Sequence, residues 1–211
     1  MKLTKYAALV KKRNICIVLH TEDGMFLGTG ASIYKADGIP ELVGEKQIAA
    51  VLEIGQKKLD KMIIKEEVYD SAAEVAGLDM SDDIAPGEMD ADVIDAAVSL
   101  NGESIAAVKC EDGELLFFNR KYLAPLEDIL KDEDESGYVY FKARLSRHGF
   151  RYIVIKHGMY ETLAAIMPTK VLSNEYMREL KEYVSDCERQ WKKEQEKEED
   201  DDNDGQMKMD F

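Results

Sequence analysis

The run F-F-N-R-K-Y-L-A-P-L-E-D-I-L at residues 117–130 decides how the rest of the chain is read. Two phenylalanines close a strand-like stretch. Asn119 then stands where its side-chain oxygen can accept from a free backbone N–H at a helix start. Tyr122, Leu123, Leu126, Ile129 and Leu130 recur at the spacing of one helical face, which predicts a helix over 120–131. Pro125 sits inside that run. Proline is tolerated best in a first turn, so the helix is expected to begin effectively near it.

Working outward, residues 105–110 and 115–118 flank Glu111-Asp112-Gly113, a hairpin signal. After the helix, three strands are expected at 138–145, 150–156 and 161–167, the last ended by Pro168. The N-terminal stretch repeats the theme. Residues 2–13 read as an amphipathic helix with Leu3, Tyr6, Leu9 and Val10 on one face. Lys2, Lys5, Lys11, Lys12 and Arg13 occupy the rest, with no acid among them. Residues 14–36 then read as a hairpin turning at Glu22-Asp23-Gly24, its second strand running from Met25 to Tyr34 and bent at Gly28 and Gly30. The recurring E-D-G turn hints at two structurally related halves.

Between these blocks the pattern is less regular. Residues 48–54 suit a strand, 57–68 a strand pair or a helix, and 70–76 a helix stopped by Gly77. The acidic stretch 79–95, with Pro86-Gly87, reads as a loop or a weakly ordered connection.

The whole chain has 211 residues, a formal net charge of -15, 34% charged and 45% hydrophobic residues, so a core is expected and a uniformly DNA-coating surface is not. Any contact with DNA must come from a local basic patch, and the N-terminal helix is the candidate: Lys2, Lys5, Lys11, Lys12 and Arg13. Three irregularly spaced cysteines, Cys16, Cys110 and Cys187, are no disulfide framework, and no apolar run is long enough to span a membrane. A cytoplasmic location is the plain expectation. His20, His148 and His157 do not recur at ligand spacing, and no phosphate loop, nucleophile elbow or dinucleotide fingerprint occurs. The chain is expected to be no enzyme and to need no metal or cofactor.

The C-terminal part is different in kind. Residues 172–197 are expected to hold a helix capped by Ser173, with Tyr176, Leu180, Val184, Cys187 and Trp191 as its apolar stripe. Residues 198–211 form an acidic tail expected to be disordered, ending Q-M-K-M-D-F. Apolar side chains at the tip of a polar tail suit docking. Gln206 can fix register with a donor and an acceptor, and Met207, Met209 and Phe211 supply apolar bulk.

The order of hairpin, leucine-rich helix and three strands ending Met167-Pro168 resembles a domain of the bacterial replicative sliding clamp, the β-subunit of DNA polymerase III. The run at 117–130 and the closing strand L-A-A-I-M-P-T-K-V at 163–171 carry the likeness, with the basic helix and first hairpin up to Pro40. It covers roughly residues 1–40 and 96–171, leaving 41–95 as an insertion or divergence. The resemblance implies an α+β, clamp-like domain over 1–171, with helices on one side of curved antiparallel sheets. It implies a non-catalytic accessory role in DNA replication or repair, in a phage or mobile element. In that family the equivalent helices face DNA, and the closing strand helps form an apolar pocket for linear peptides, which places Met167 and Pro168 at such a pocket. The tail, with Gln206, Met209 and Phe211, is itself similar to the peptides that clamps bind. Single-stranded-DNA-binding proteins also end in an acidic tail with Phe, but the Gln and Met spacing favours the clamp type. The expected partner is a replication or repair protein such as a sliding clamp, with DNA and further copies of the chain as additional partners and no membrane. A family member has three such domains and a ring needs six, so one domain alone encircles nothing. The competing expectation is an α+β protein–protein interaction module with no DNA role.

Overall fold

The computed structural model describes residues 1–100 (backbone alone at 95–97), 102–132, 137–158 and 160–169, then 178, 182–187 and 189–191. Met1–Thr169 and Lys170–Phe211 form two separate compact units. In the second unit, residues 178, 182–187 and 189–191 are helical, and Val184, Cys187 and Trp191 are exposed there. The expected docking peptide at 206–211 lies outside the described residues.

The first unit is mixed α+β. It runs α1 (Leu3–Arg13), β1 (Ile15–Thr21), β2 (Gly24–Gly28), β3 (Ser32–Lys35), α2 (Glu45–Val51), α3 (Gln56–Leu59), β4 (Ile63–Val68), a 3₁₀ segment (Ala72–Gly77), β5 (Met89–Leu100), β6 (Glu103–Cys110), β7 (Leu115–Asn119), a 3₁₀ turn (Arg120–Leu126), α4 (Glu127–Lys131), β8 (Val139–Leu145), β9 (Arg151–His157) and β10 (Glu161–Ile166). The strands hydrogen-bond in the order β4-β1-β2-β3-β10-β9-β8-β5-β6-β7.

That order has an internal symmetry. A helix leads into the meander β1-β2-β3, and the segment 120–131 leads into the meander β8-β9-β10. The two meanders meet through their last strands, antiparallel, with Tyr34 opposite Ala164, Ile33 opposite Ala165 and Ser32 opposite Ile166. The leading helical segments touch: the Lys2 N–H donates to the Pro125 carbonyl at 2.6 Å. The related halves are therefore these helix-and-meander units. The two E-D-G turns do not correspond: one joins β1 to β2, the other joins β6 to β7, and the counterpart of the first is the turn at 146–150.

Side-chain alternation in the central strands divides cleanly between two faces. Val18, Leu27, Tyr34, Ile153, Ile155 and Ala164 face the helices. Their neighbours Leu19, Phe26, Ile33, Tyr152, Val154 and Ala165 face a separate apolar layer with Ala72, Val75, Leu78 and Met80. Strands covered on both faces read as near-continuous apolar runs, which is why 15–19 and 152–155 stand out in the sequence.

Several expectations are corrected. Residues 48–51 belong to a helix, α2, not a strand, and 52–54 are the turn that follows it: Ile48, Ala49 and Leu52 are buried at helical spacing, and Ala49 and Ala50 favour the helix. The expected strand from Met25 to Tyr34 is two strands, broken where Gly30 takes φ 78° and the Thr29 N–H bonds the Ser32 carbonyl at 2.9 Å. The sheet is not wholly antiparallel, because β4 pairs parallel to β1. The helix expected over 120–131 opens as a 3₁₀ turn containing Pro125 and becomes α-helical only at Glu127. Proline lacks the N–H that a continuous α-helix would require at that point.

Candidate functional site

The basic helix is the first candidate surface. Tyr6, Leu9 and Val10 are buried and fix which face of α1 meets the sheet. The Tyr6 hydroxyl donates to the Gly28 carbonyl at 2.8 Å, and its ring meets Tyr34 edge-on at 5.9 Å. Burial pushes the Tyr6 phenol well above its ordinary pKa, so it stays a neutral donor. This anchoring turns the cationic face outward beside 120–131. Three of its five cations are engaged by carboxylates: Lys2 with Asp128 at 2.7 Å, Lys5 with Glu127 at 3.0 Å and Lys12 with Glu103 at 2.7 Å. The Arg13 guanidinium lies 5.7 Å from the Tyr122 ring centre. Lys11 and Arg13 have no ion pair among the described residues.

Glu103 is the hub of this layer. Its carboxylate takes Lys12, the Lys121 ammonium at 2.9 Å and the Asn119 amide at 2.7 Å. Asn119 meanwhile accepts the Lys121 backbone N–H at 3.1 Å, the cap anticipated from the sequence. Those donors, Lys12 foremost, hold the Glu103 pKa down to about 2. Glu127 is likewise held to about 2 by Lys131 and then Lys5. A carboxylate whose folded pKa lies below its unfolded value stabilises the fold above the unfolded pKa, about 4.3 for glutamate, and loses that contribution as pH falls towards 2. The urea midpoint of the full chain is therefore expected to fall between about pH 5 and pH 2.5. The double variant Glu103→Gln, Glu127→Gln should show a visibly shallower fall. Equal slopes would remove these two groups from the acid response.

The second candidate is the closing strand. The Met167 N–H donates to the Ala31 carbonyl at 2.8 Å and the Thr169 N–H to the Phe117 carbonyl at 2.6 Å, so residues 167–169 bridge the turn leading into β3 to β7. Met167 lines a cavity of about 210 Å³ on the sheet face opposite α1, with Ile17, Leu19, Leu78, Phe150 and Glu67 among its walls. Pro168 is half-buried beside it and is not part of that wall. The volume falls below the roughly 300–1,000 Å³ of small-molecule pockets and suits one or two apolar side chains. Leu78, Phe150 and Glu67 were not signalled by the sequence, because three separate segments deliver them to the cavity.

The acidic stretch after Gly77 is the largest departure from the sequence reading. Residues 79–88 are pinned across the sheet by two fully buried cations. Arg144 donates from Nη1 to the carbonyls of Asp79 (2.8 Å) and Ser81 (3.1 Å), from Nη2 to Asp83 O (2.5 Å), and from Nε to Glu88 Oε2 (2.6 Å). Lys156 donates to the carbonyls of Asp82 and Asp83 at 3.1 and 3.2 Å, and Thr162 to that of Ser81 at 2.8 Å. Burial pulls the Lys156 ammonium below its usual pKa, against the opposing pull of Glu88. The expected weakly ordered connection is thus a clamped strap, and β5 already begins at Met89.

Among the described residues no group of three or more His, Cys, Asp and Glu side chains is placed to hold a metal ion. No described helix is long and apolar enough to cross a membrane. No protein-family model, curated protein or solved structure matches this chain.

Proposed function

We propose that this chain is a non-catalytic, sliding-clamp-like accessory protein of DNA replication or repair. It docks to a partner such as a bacterial sliding clamp through its C-terminal residues 206–211. The observation that carries the reading is the pair of helix-and-meander units joined through β3 and β10, with α1 beside 120–131 on one face. That arrangement agrees with two equivalent halves of a clamp-like domain. The apolar cavity at Met167 lies by the closing strand, where the resemblance puts a peptide pocket.

The test is binding of the full chain to an immobilised, purified bacterial sliding clamp, beside a variant lacking residues 206–211. Two apolar anchors, Met209 and Phe211, contribute roughly 1.5–3 kcal/mol each when buried, so the deletion is expected to weaken binding by at least about a hundredfold. Equal binding by both proteins, or binding by neither, ends the docking proposal.

The ion pairs of Lys2, Lys5 and Lys12 favour a second reading, an interaction module with no DNA role. Cations already matched by carboxylates release few counterions from a phosphate backbone.

A further inference from the structure

β4 is the terminal strand of the sheet, and among the described residues nothing pairs with its outer edge. The phase of that edge is fixed by two hydrogen bonds to the β1 side. The Ile63 N–H donates to the Asn14 carbonyl and the Tyr69 N–H to the His20 carbonyl, each at 2.9 Å. Residues 63, 65, 67 and 69 therefore spend their backbone groups on β1. The N–H and C=O groups of Ile64, Glu66 and Val68 point away from the sheet. The opposite end of the sheet differs, because the Phe117 carbonyl of β7 already accepts from Thr169.

We propose that this edge binds a second copy of the chain, β4 against β4, antiparallel about a twofold axis through the two Glu66 residues. An axis normal to the sheet keeps each face on its own side, so residues of even number pair only with even and odd only with odd. Centring on Glu66 sets Ile64 opposite Val68, Lys65 opposite Glu67 and Ile63 opposite Tyr69, every pair formed twice. Ile63 and Val68 are 56% and 81% exposed, large apolar side chains on an open edge. Lys65 meets a carboxylate of opposite charge. Ile64, Glu66 and Val68 supply the outward hydrogen bonds. Centring on Lys65 would instead oppose two lysines and put Ile63 against Glu67, so the sequence discriminates between neighbouring registers.

One contact is unfavourable. The two Glu66 carboxylates face each other, although each already accepts the Gly44 N–H of its own chain at 3.1 Å. Edge lysines commonly block such pairing. Here the lysine finds a partner instead. A single pair of short strands buries less than the roughly 1,200 Å² of a standard stable interface, so the dimer is expected to be weak and reversible.

Sedimentation equilibrium of the full chain tests this over a wide range of protein concentration. Reversible monomer–dimer exchange is expected. Lys65→Glu and Glu67→Lys, each alone, oppose like charges twice per dimer and should weaken association about tenfold. The double variant re-forms both ion pairs with reversed polarity and should recover association to within about threefold. Glu66→Gln relieves the central repulsion and should tighten it. Thermal melts of each variant check that the fold is kept; Lys65 is exposed, so Lys65→Glu tests the register without touching the core. A monomer at every concentration overturns the proposal. So does a dimer indifferent to the single changes, or a double variant no better than either single.

Discussion

Arg144→Met is expected to lower the unfolding free energy of the unit spanning residues 1–169 by about 3–5 kcal/mol, the range for breaking a buried ion pair by removing one partner. Methionine matches the aliphatic part of the arginine, so the loss is chiefly electrostatic. Glu88, itself almost fully buried, would keep Lys156, at 3.6 Å, as its one cation, beside the Ala85 N–H at 3.4 Å. The carbonyls of Asp79 and Ser81 and the Asp83 carbonyl would each lose a guanidinium donor. Urea unfolding followed by far-ultraviolet circular dichroism measures the change. Hydrogen exchange should localise it, with the amides of Asp79 and residues 80–85 losing protection first. Arg144→Lys retains the charge but not the fork and should fall between the two. A midpoint unchanged in Arg144→Met would show that Lys156, Thr162 and Tyr152, with the apolar contacts of Leu78 and Met80, hold the strap without the guanidinium.

Tyr6→Ala is expected to cost about 3–5 kcal/mol, as for a buried aromatic truncated to alanine. The side chain is fully buried between α1 and the sheet. Its removal opens a cavity beside Tyr34 and Cys16 and deprives the Gly28 carbonyl of a donor. Tyr6→Phe keeps the ring and loses only the hydroxyl, so it should cost about 1 kcal/mol. The ratio between the two variants is the informative quantity. If they destabilise equally, the hydrogen bond to Gly28 dominates and packing contributes little.

Much of the first unit was legible because its strands obey simple alternation and its turns carry strong signals. Helix α1, strand β1, the β6–β7 hairpin and the three closing strands lie within a residue or two of their expected places, whereas β2 stops at Gly28 instead of running on to Tyr34. Asn119 caps where it was expected to. The middle was not legible, for physical reasons that differ by segment. In 48–54 a short apolar run lacks a decisive period, and the burial of Ile48 and Ala49 together with the helix preference of the two alanines makes its first four residues the end of α2. In 79–88 the composition argued for a loose loop, since the acidic side chains gave no sign of a partner. The partners are Arg144 and Lys156, on strands more than fifty residues away, where a charged residue ordinarily reads as solvent-facing. The basic helix was read correctly as a helix, but its carboxylate partners at Glu103, Glu127 and Asp128 are distant in sequence. A peptide pocket at Met167 and Pro168 was an expectation of the resemblance alone, and the cavity itself was not legible in the sequence. Its other walls arrive from β1 and from the segments around Leu78 and Phe150.

The grip of Arg144 and Lys156 on the strap falls largely on peptide oxygens, which any amino acid can present. The identities at positions 81 and 83 are thereby left largely unconstrained by the anchor itself. Mutational drift there should be well tolerated, while the two cations and Glu88 should resist replacement. A protein fastened in this manner can re-letter an outward-facing ribbon, altering its charge or its affinity for others, without re-engineering the scaffold beneath.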